Sequence, residues 1–322
     1  MVISPGSQEN IGRAAGLLKK GGIVAFPTET VYGLGADCFN PGAVTRIFEA
    51  KKRPFFDPLI VHVAEISWLH KLCDEAPPAA VKLAEKFWPG PLTVIVAKNH
   101  SVPDIVTAGL GSVAVRMPSH PVARDLIIET GSPIAAPSAN PFGYISPTRA
   151  EHVLMQLGDR VDMILDGGEC SVGVESTIVR IEPGGVRLLR PGGITPDDLE
   201  SVAGPLLVQA ERQGPPQAPG QLPFHYSPMT PVCLVKDFGG LDLDDGQSGF
   251  IFYRKNDRSG ESGRIAFLSE NGDLHQAAAN LFSVLHRLDG MNLTVIYAEE
   301  VPCSGLGIAI MDRLTKASKR AR

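Results

Sequence analysis

The chain has 322 residues, enough for two domains, and with 43% hydrophobic and 20% charged residues it is not a largely disordered protein. A formal net charge of −5 excludes a general attraction to nucleic acid or to an anionic membrane, so any polyanion site must be a local cluster. Five scattered cysteines with no CxxC pair argue against a disulfide framework or a zinc site and fit a reducing compartment.

The N-terminus shows no basic segment followed by an apolar core, and no apolar run approaches the ~20 residues of a bilayer span. These features predict a soluble, cytoplasmic protein without a membrane partner. Ser7 is placed to cap a first helix whose apolar face is Ile11, Ala14, Ala15, Leu17 and Leu18, ended by Gly21-Gly22. A short strand, residues 23–26, then runs into Pro27. Beyond it the pattern predicts strands at 59–63, 92–97, 112–117, 134–136, 163–165, 176–181 and 186–189. Helices are predicted at 41–50, 77–87, 121–129, 148–157 and 196–202. Strands outnumber helices and some are joined only by turns such as Pro183-Gly-Gly185, so the expected sheet is mixed and twisted rather than purely parallel.

Composition changes at Gln213-Gly-Pro-Pro-Gln-Ala-Pro-Gly220, which reads as an extended linker. After it, strands at 232–235, 250–253, 265–268 and 293–297 enclose helices at 274–288 and 306–319, a second and smaller α/β unit. The domain reading is therefore 1–205, a linker over 206–230, and 231–322. The basic tail from Lys316 to Arg322 reads as a solvated helix end. Ser304-Gly-Leu-Gly307 lacks the full GxGxxG pattern and implies no dinucleotide. Histidines 70, 100, 120, 152, 275 and 286, with Trp68 and Trp88, read as surface or packing residues.

Chemistry concentrates in clusters beside strand ends. Pro27-Thr-Glu-Thr30-Val-Tyr-Gly-Leu-Gly35 can bring backbone amides and hydroxyls close to a polar ligand, or can be a capped turn. Lys51-Lys-Arg53-Pro-Phe-Phe-Asp57-Pro supplies a point charge and a planar fork for phosphate between two fixing prolines. His62 sits in an apolar strand, where a satisfied core histidine is the plain alternative. Arg116 ends the strand Ser112-Val-Ala-Val-Arg116 and is a natural clamp for a substrate carboxylate, or is paired. Ala136-Pro-Ser138-Ala-Asn140-Pro, running on to Ser146, suggests a rigid hydroxyl and amide loop open to close ligand approach.

Singly these clusters are weak; their order is not. Thr28-Glu-Thr-Val-Tyr-Gly-Leu, Lys51-x-Arg53, Arg116-Met-Pro, Ser138-x-Asn140, Glu175-Ser176-Thr-Ile-Val and Leu189-Arg190-Pro-Gly together resemble the YrdC-type threonylcarbamoyl-AMP synthases. Ala218 through Pro228, with His225-Tyr226, is similar to the linker of the family's longer form. The resemblance implies a twisted mixed α/β sheet with a concave basic cavity, followed by a smaller Rossmann-like α/β domain. It implies that Thr30, His62, Arg116, Ala136 (through its main chain) and Ser176 surround L-threonine, with Arg116 on the carboxylate. Arg53, Asp57, Ser112, Ser138, Ser146 and Arg190 would line ATP, with Asn140 in the same cavity and Tyr226 reaching over the nucleotide as a lid. Lys51 and Arg53 would be the catalytic cations.

The implied reaction joins L-threonine, bicarbonate or CO2 and ATP, with Mg²⁺ accompanying the nucleotide, no organic cofactor and no metal held by protein ligands alone. The product would feed threonylcarbamoylation of tRNA adenosine at position 37, through transient contact with a separate transferase complex. Many members carry Asn at the position of Asp57, and a carboxylate there suits phosphates only if it helps hold Mg²⁺. The rival readings are an RNA-binding or nucleotide-binding regulatory module of the same fold, and a carbamoyl-transferring protein of hydrogenase maturation. Acidic charge and the lack of aromatic stacking motifs weigh against direct RNA binding. The absence of zinc-finger cysteines weighs against the hydrogenase reading.

Overall fold

A computed structural model describes residues 3–207, 216–255 and 262–319. The first part holds β1 (Ile3–Pro5), α1 (Gln8–Lys19), β2 (Val24–Phe26), β3 (Gly33–Asp37), α2 (Pro41–Lys51), β4 (Ile60–His62) and α3 (Pro78–Phe87). It continues with β5 (Leu92–Ala97), α4 (Asp104–Thr107), β6 (Ser112–Arg116), α5 (Pro121–Thr130), β7 (Ile134–Ala135) and α6 (Ala150–Leu157). β8 (Met163–Asp166), β9 (Thr177–Glu182), β10 (Gly185–Arg190) and α7 (Pro196–Ala203) complete it. Its strands form one sheet in the order β1-β8-β2-β3-β7-β4-β6-β5-β9-β10, with parallel and antiparallel pairs mixed.

Local chemistry explains most boundaries. Ser7 accepts a hydrogen bond from the Asn10 amide and starts α1, and Asn40 caps α2 the same way. Thr195 and Asp198 form a reciprocal capping box at α7. Prolines at the first helical turn open α2, α3, α5 and α7, where a missing amide proton costs nothing. The glycine-rich turn expected through Gly35 is shorter than anticipated, because Gly33–Asp37 is a strand paired antiparallel to β2 and β7. The strand at Ile3–Pro5 and the short α4 were also not foreseen.

The second domain comprises β11 (Val232–Val235), β12 (Ser248–Arg254), β13 (Ile265–Ser269), α8 (Leu274–Asp289), β14 (Val295–Glu299) and α9 (Gly307–Ser318). Its sheet, ordered β11-β14-β12-β13, is parallel throughout. α8 buries Leu281, Phe282, Leu285 and Leu288, each contributing about 1.5–3 kcal/mol relative to exposure. The core around α8 and α9 also takes in Val31, Ile145 and Val174 of the first domain and Tyr226 of the linker, so the two domains share apolar packing. Part of the expected linker, 208–215, lies outside the described residues, as does the tail from 320 onward. Lys316 is not the solvated residue expected, since its ammonium donates to the Gly220 carbonyl and pairs with Asp312. Among the described residues no helix is long and apolar enough to cross a membrane, and the five cysteines are free thiols.

Candidate active site

The site lies where several strands end and the linker crosses them. β4 and β6 run parallel with His62 opposite Arg116, so both side chains arrive at one edge of a cavity. The loop from β2 to β3 brings Thr28 and Thr30 beside them, and the segment after β7 adds Ala136 and Ser138. Glu175 and Ser176, just before β9, face Arg190 at the end of β10. Arg53 joins from the segment after α2, and Pro219, Gly220, His225 and Tyr226 cover the far side.

The arginines are oriented by named partners. Arg116 donates from Nη1 to Thr30 Oγ1 at 2.9 Å and from Nε to the Gly90 carbonyl at 3.3 Å, and its Nη2 lies 2.7 Å from Glu29 Oε1. Arg53 donates to the Asp57 and Pro58 carbonyls and lies 2.9 Å from the Asp57 carboxylate. Arg190 donates to the Ser176 carbonyl at 2.9 Å, the Ser176 hydroxyl at 3.1 Å and the Pro219 carbonyl at 3.1 Å. Ser176 shares a 2.7 Å hydrogen bond with Thr93. Glu175 accepts from Ser146 Oγ at 2.5 Å and from Arg313 Nε at 2.8 Å.

The cavity wall is therefore of mixed charge rather than uniformly basic, with Glu175 among its lining residues and Glu29 and Asp57 paired to its arginines. Burial would raise the Glu175 carboxyl, but Arg313 and Arg190 outweigh it and hold it below the usual range. Burial and then Arg116 push the His62 imidazole down to about 3. His225 is pushed well below its ordinary value by burial and then by Arg53, Lys51, Lys316 and Arg190. Burial raises the Tyr226 phenol, so the ring keeps its proton. His62 Nδ1, His225 Nδ1 and the Tyr226 hydroxyl are buried without a hydrogen-bond partner and belong to residues that line the cavity. A ligand would satisfy them.

Of the residues singled out in the sequence, Thr30, His62, Arg116, Ala136 and Ser176 converge, and Arg53, Ser138, Arg190 and Tyr226 share the same cavity. The others stand elsewhere. Lys51 is fully buried and donates to the carbonyls of Ser138 and Asn140, so it anchors that loop and does not line the cavity. Burial, and then Arg53, lower its pKa strongly. Asn140 turns its amide to the Pro141 and Tyr144 carbonyls, shaping the loop from within. Asp57 serves Arg53, and Ser146 serves Glu175. Ser112 lies at the opposite end of β6 in a separate groove with Ile95, Arg180 and Gln217. Between that groove and the cavity, Ala218 of the linker covers Ile60, Ile95, Ala114 and Ile178. Sequence reading assigned no role to Glu29, Glu175 or His225, although each lies inside a motif it quoted, and it missed Arg313 altogether. Only its place on the otherwise apolar buried face of α9, among Ala309, Ile310, Leu314 and Ala317, marked that last one.

Residues 16–192 match the Sua5/YciO/YrdC family, described as "Telomere recombination", and residues 194–319 match "Threonylcarbamoyl-AMP synthase, C-terminal domain". The chain is 42% identical to the threonylcarbamoyl-AMP synthase of Pyrococcus abyssi over 317 residues, covering 95% of this chain and 93% of that protein. It is 42% identical to the Bacillus subtilis threonylcarbamoyl-AMP synthase over 320 residues, covering 96% and 92%. The crystal structure of P. abyssi Sua5 complexed with L-threonine superposes with a TM-score of 0.90 at 39% identity, over 97% of this chain and 95% of that one. The chain therefore belongs to the Sua5/YciO/YrdC family and carries the C-terminal domain of its threonylcarbamoyl-AMP synthases.

Proposed function

We propose that this protein makes L-threonylcarbamoyl-AMP from L-threonine, bicarbonate or CO2 and ATP, releasing pyrophosphate. The observation that carries the reading is one cavity lined at once by Arg116, Thr30 and His62, which suit a carboxylate, and by Arg53, Ser138 and Arg190, which suit phosphates, with Tyr226 beside them. Full-length similarity to threonylcarbamoyl-AMP synthases supports it.

Threonine's carboxylate suits Arg116, whose fork is held on three sides yet keeps further N–H donors for a planar anion. Its amine must lose a proton to attack carbon. The burial and Arg116 charge that keep His62 neutral disfavour an ammonium at the same corner, even though each arginine has a polar or acidic partner. The neutral amine attacks CO2 and gives up a second proton to solvent, or attacks bicarbonate with loss of water, and either route gives a carbamate. A carbamate oxygen then attacks the α-phosphorus, the bond to the β-phosphate oxygen breaks, and pyrophosphate leaves. In this reading Arg53 and Arg190 stabilise the growing negative charge. Sequence reading assigned that work to Lys51 and Arg53, and Arg190, which lines the cavity, takes the place of Lys51, which does not.

Magnesium enters with the nucleotide's phosphates in this reading. The carboxylates at the cavity are engaged by Arg116, Arg53 and Arg313, and among the described residues no acidic or histidine cluster is built to hold an ion. Bound there it would neutralise phosphate charge. Holding the carbamate against ATP supplies about 7–11 kcal/mol of the barrier by proximity. The linker lies across the strand face between Ser112 and Arg53, so nucleotide admission lifts it and closure excludes water from the unstable carbamate and anhydride. The free thiols fit a reducing cytoplasm, where the product would serve a separate tRNA-modifying transferase complex.

The test is pyrophosphate release by purified protein with ATP and Mg²⁺, omitting threonine and bicarbonate in turn. Release that needs both, with a threonylcarbamoyl-AMP mass in the quenched mixture, is the expected result. Release that needs neither refutes the reading.

A further inference from the structure

Among the described residues the largest fully buried side chain is an arginine from the second domain. Arg313 on α9 is 0% exposed and reaches across the domain boundary. Its Nε donates to Glu175 Oε2 at 2.8 Å, its Nη2 to the Pro191 carbonyl at 3.0 Å, and its Nη1 to Asp312 at 2.6 Å. The guanidinium carbon stands 5.1 Å from the centre of the Tyr226 ring. Glu175 in turn takes the Ser146 hydroxyl on its other oxygen, and Pro191 directly follows Arg190. One turn along α9, Lys316 holds the Gly220 carbonyl at 2.8 Å.

Burying an arginine with a glutamate gains little for the fold itself, because desolvation offsets most of the attraction. What the pair does supply is geometry. A planar fork with fixed directions sets the glutamate, the Pro191 turn and the tyrosine face at once, and lysine cannot do so. Glu175 and Tyr226 line the cavity and Pro191 follows Arg190, which lines it too, whereas Arg116 is held by Thr30, Gly90 and Glu29, none of them a partner of Arg313.

Resting on the proposed synthase activity, we infer that Arg313 is a positioning residue for adenylyl transfer, through which the second domain completes the active site by fixing Glu175 and Tyr226. The domain is then a working part of the enzyme rather than an appendage, and ATP use depends on it while threonine binding does not.

The test compares the full-length wild type with Arg313→Met, Arg313→Lys and the double variant Arg313→Met/Glu175→Gln. Threonine affinity is read by calorimetry, kcat and the KM for ATP by pyrophosphate release, and hydrogen exchange by mass spectrometry over 144–148 and 219–227. Arg313→Met is expected to lower kcat roughly 10- to 100-fold and raise the KM for ATP, as small misplacements do, with threonine affinity unchanged. Exchange should quicken in those two segments and not in β4 or β6, and Arg313→Lys should recover only part of the loss. Adding Glu175→Gln should cost far less than a second independent loss, because the two residues act as one unit. If the stranded glutamate unfolds the single variant, the double variant, which removes both charges, carries the measurement.

A folded Arg313 variant with kcat and KM for ATP within twofold of the wild type overturns the inference. So does an equal loss of threonine affinity and turnover, which would make the arginine a general structural residue. A wild type that forms no threonylcarbamoyl-AMP refutes the proposed function instead. In that event unchanged exchange over 144–148 and 219–227 in Arg313→Met overturns the positioning role separately, and quickened exchange there upholds it.

Discussion

Arg116 Nη2 sits 2.7 Å from Glu29 Oε1, and both side chains are almost wholly buried. The carboxylate's other oxygen accepts the Ser119 amide at 3.1 Å, so Glu29 ties the end of β6 to the loop between β2 and β3. The pair turns a flexible cation into a fixed fork aimed at the cavity. A lysine in its place has no planar fork and cannot keep the bonds to Thr30, Gly90 and Glu29 together. Arg116→Lys should therefore raise the KM for threonine roughly 10- to 100-fold, the worth of one or two charge-assisted hydrogen bonds, and leave the KM for ATP near its original value. Steady-state kinetics with each substrate varied decides this; a rise confined to ATP would move Arg116 to the nucleotide.

Lys51 offers a contrast, because its ammonium is spent on the Ser138 and Asn140 carbonyls inside the protein. Lys51→Met leaves both carbonyls without that donor, at about 1–3 kcal/mol for each buried group left unsatisfied. We expect a lower urea midpoint with an unchanged slope, and a fall in activity that follows displacement of Ser138. A variant as stable as the wild type, yet inactive, would return Lys51 to the phosphates.

What could be read from sequence was what local chemistry decides. Ser7, Asn40 and the helix-opening prolines mark their helices by rules that act within four residues. The strand Gly33–Asp37 was illegible because glycine is depleted in strands. It is glycine here for a tertiary reason: a Cβ on Gly35 would lie 2.7 Å from both Ile134 and Phe26. The site divides the same way. His62, Arg116, Ser138 and Arg190 sit at or just after strand ends and Arg53 just after α2, whereas the orientation of Lys51 depends on carbonyls 87 and 89 residues away. Glu29 and Arg313 acquire meaning only from partners brought close by the whole fold, Arg313 from a glutamate 138 residues distant.

Gly192 shows how closely the motif Leu189-Arg190-Pro-Gly approaches its neighbour. A Cβ there would lie 2.2 Å from the Glu175 carbonyl oxygen and 2.4 Å from the Thr177 nitrogen, backbone atoms that cannot rotate away. Gly192→Ala must part the segment carrying Arg190 from the one carrying Ser176, although each is the other's partner. Overpacking of this kind costs typically about 1–3 kcal/mol. We predict a modest loss of thermal stability with a much larger loss of turnover. Full activity in this variant would mean that the contact between Arg190 and Ser176 is dispensable.

The domain interface carries a pH dependence whose sign follows from two histidines. His152 on α6 and His286 on α8 stack with ring centres 4.0 Å apart, and His286 Nε2 lies 3.1 Å from the Ser146 carbonyl. Burial first, then the neighbouring His286 and Arg149, push His152 down to about 3; burial pushes His286 down to about 4 despite Ser146 and Asp289. Both values lie below the ordinary histidine value of 6.5, so the unfolded chain binds more protons than the folded one and stability rises with pH. The contribution is complete above about pH 6.5 and is lost as pH falls from there through the folded values. Thermal midpoints measured from pH 8 to pH 5 should therefore drop on acidification, and His286→Gln, which cannot titrate, should flatten that drop. An equal slope in the variant would place the pH dependence in other groups.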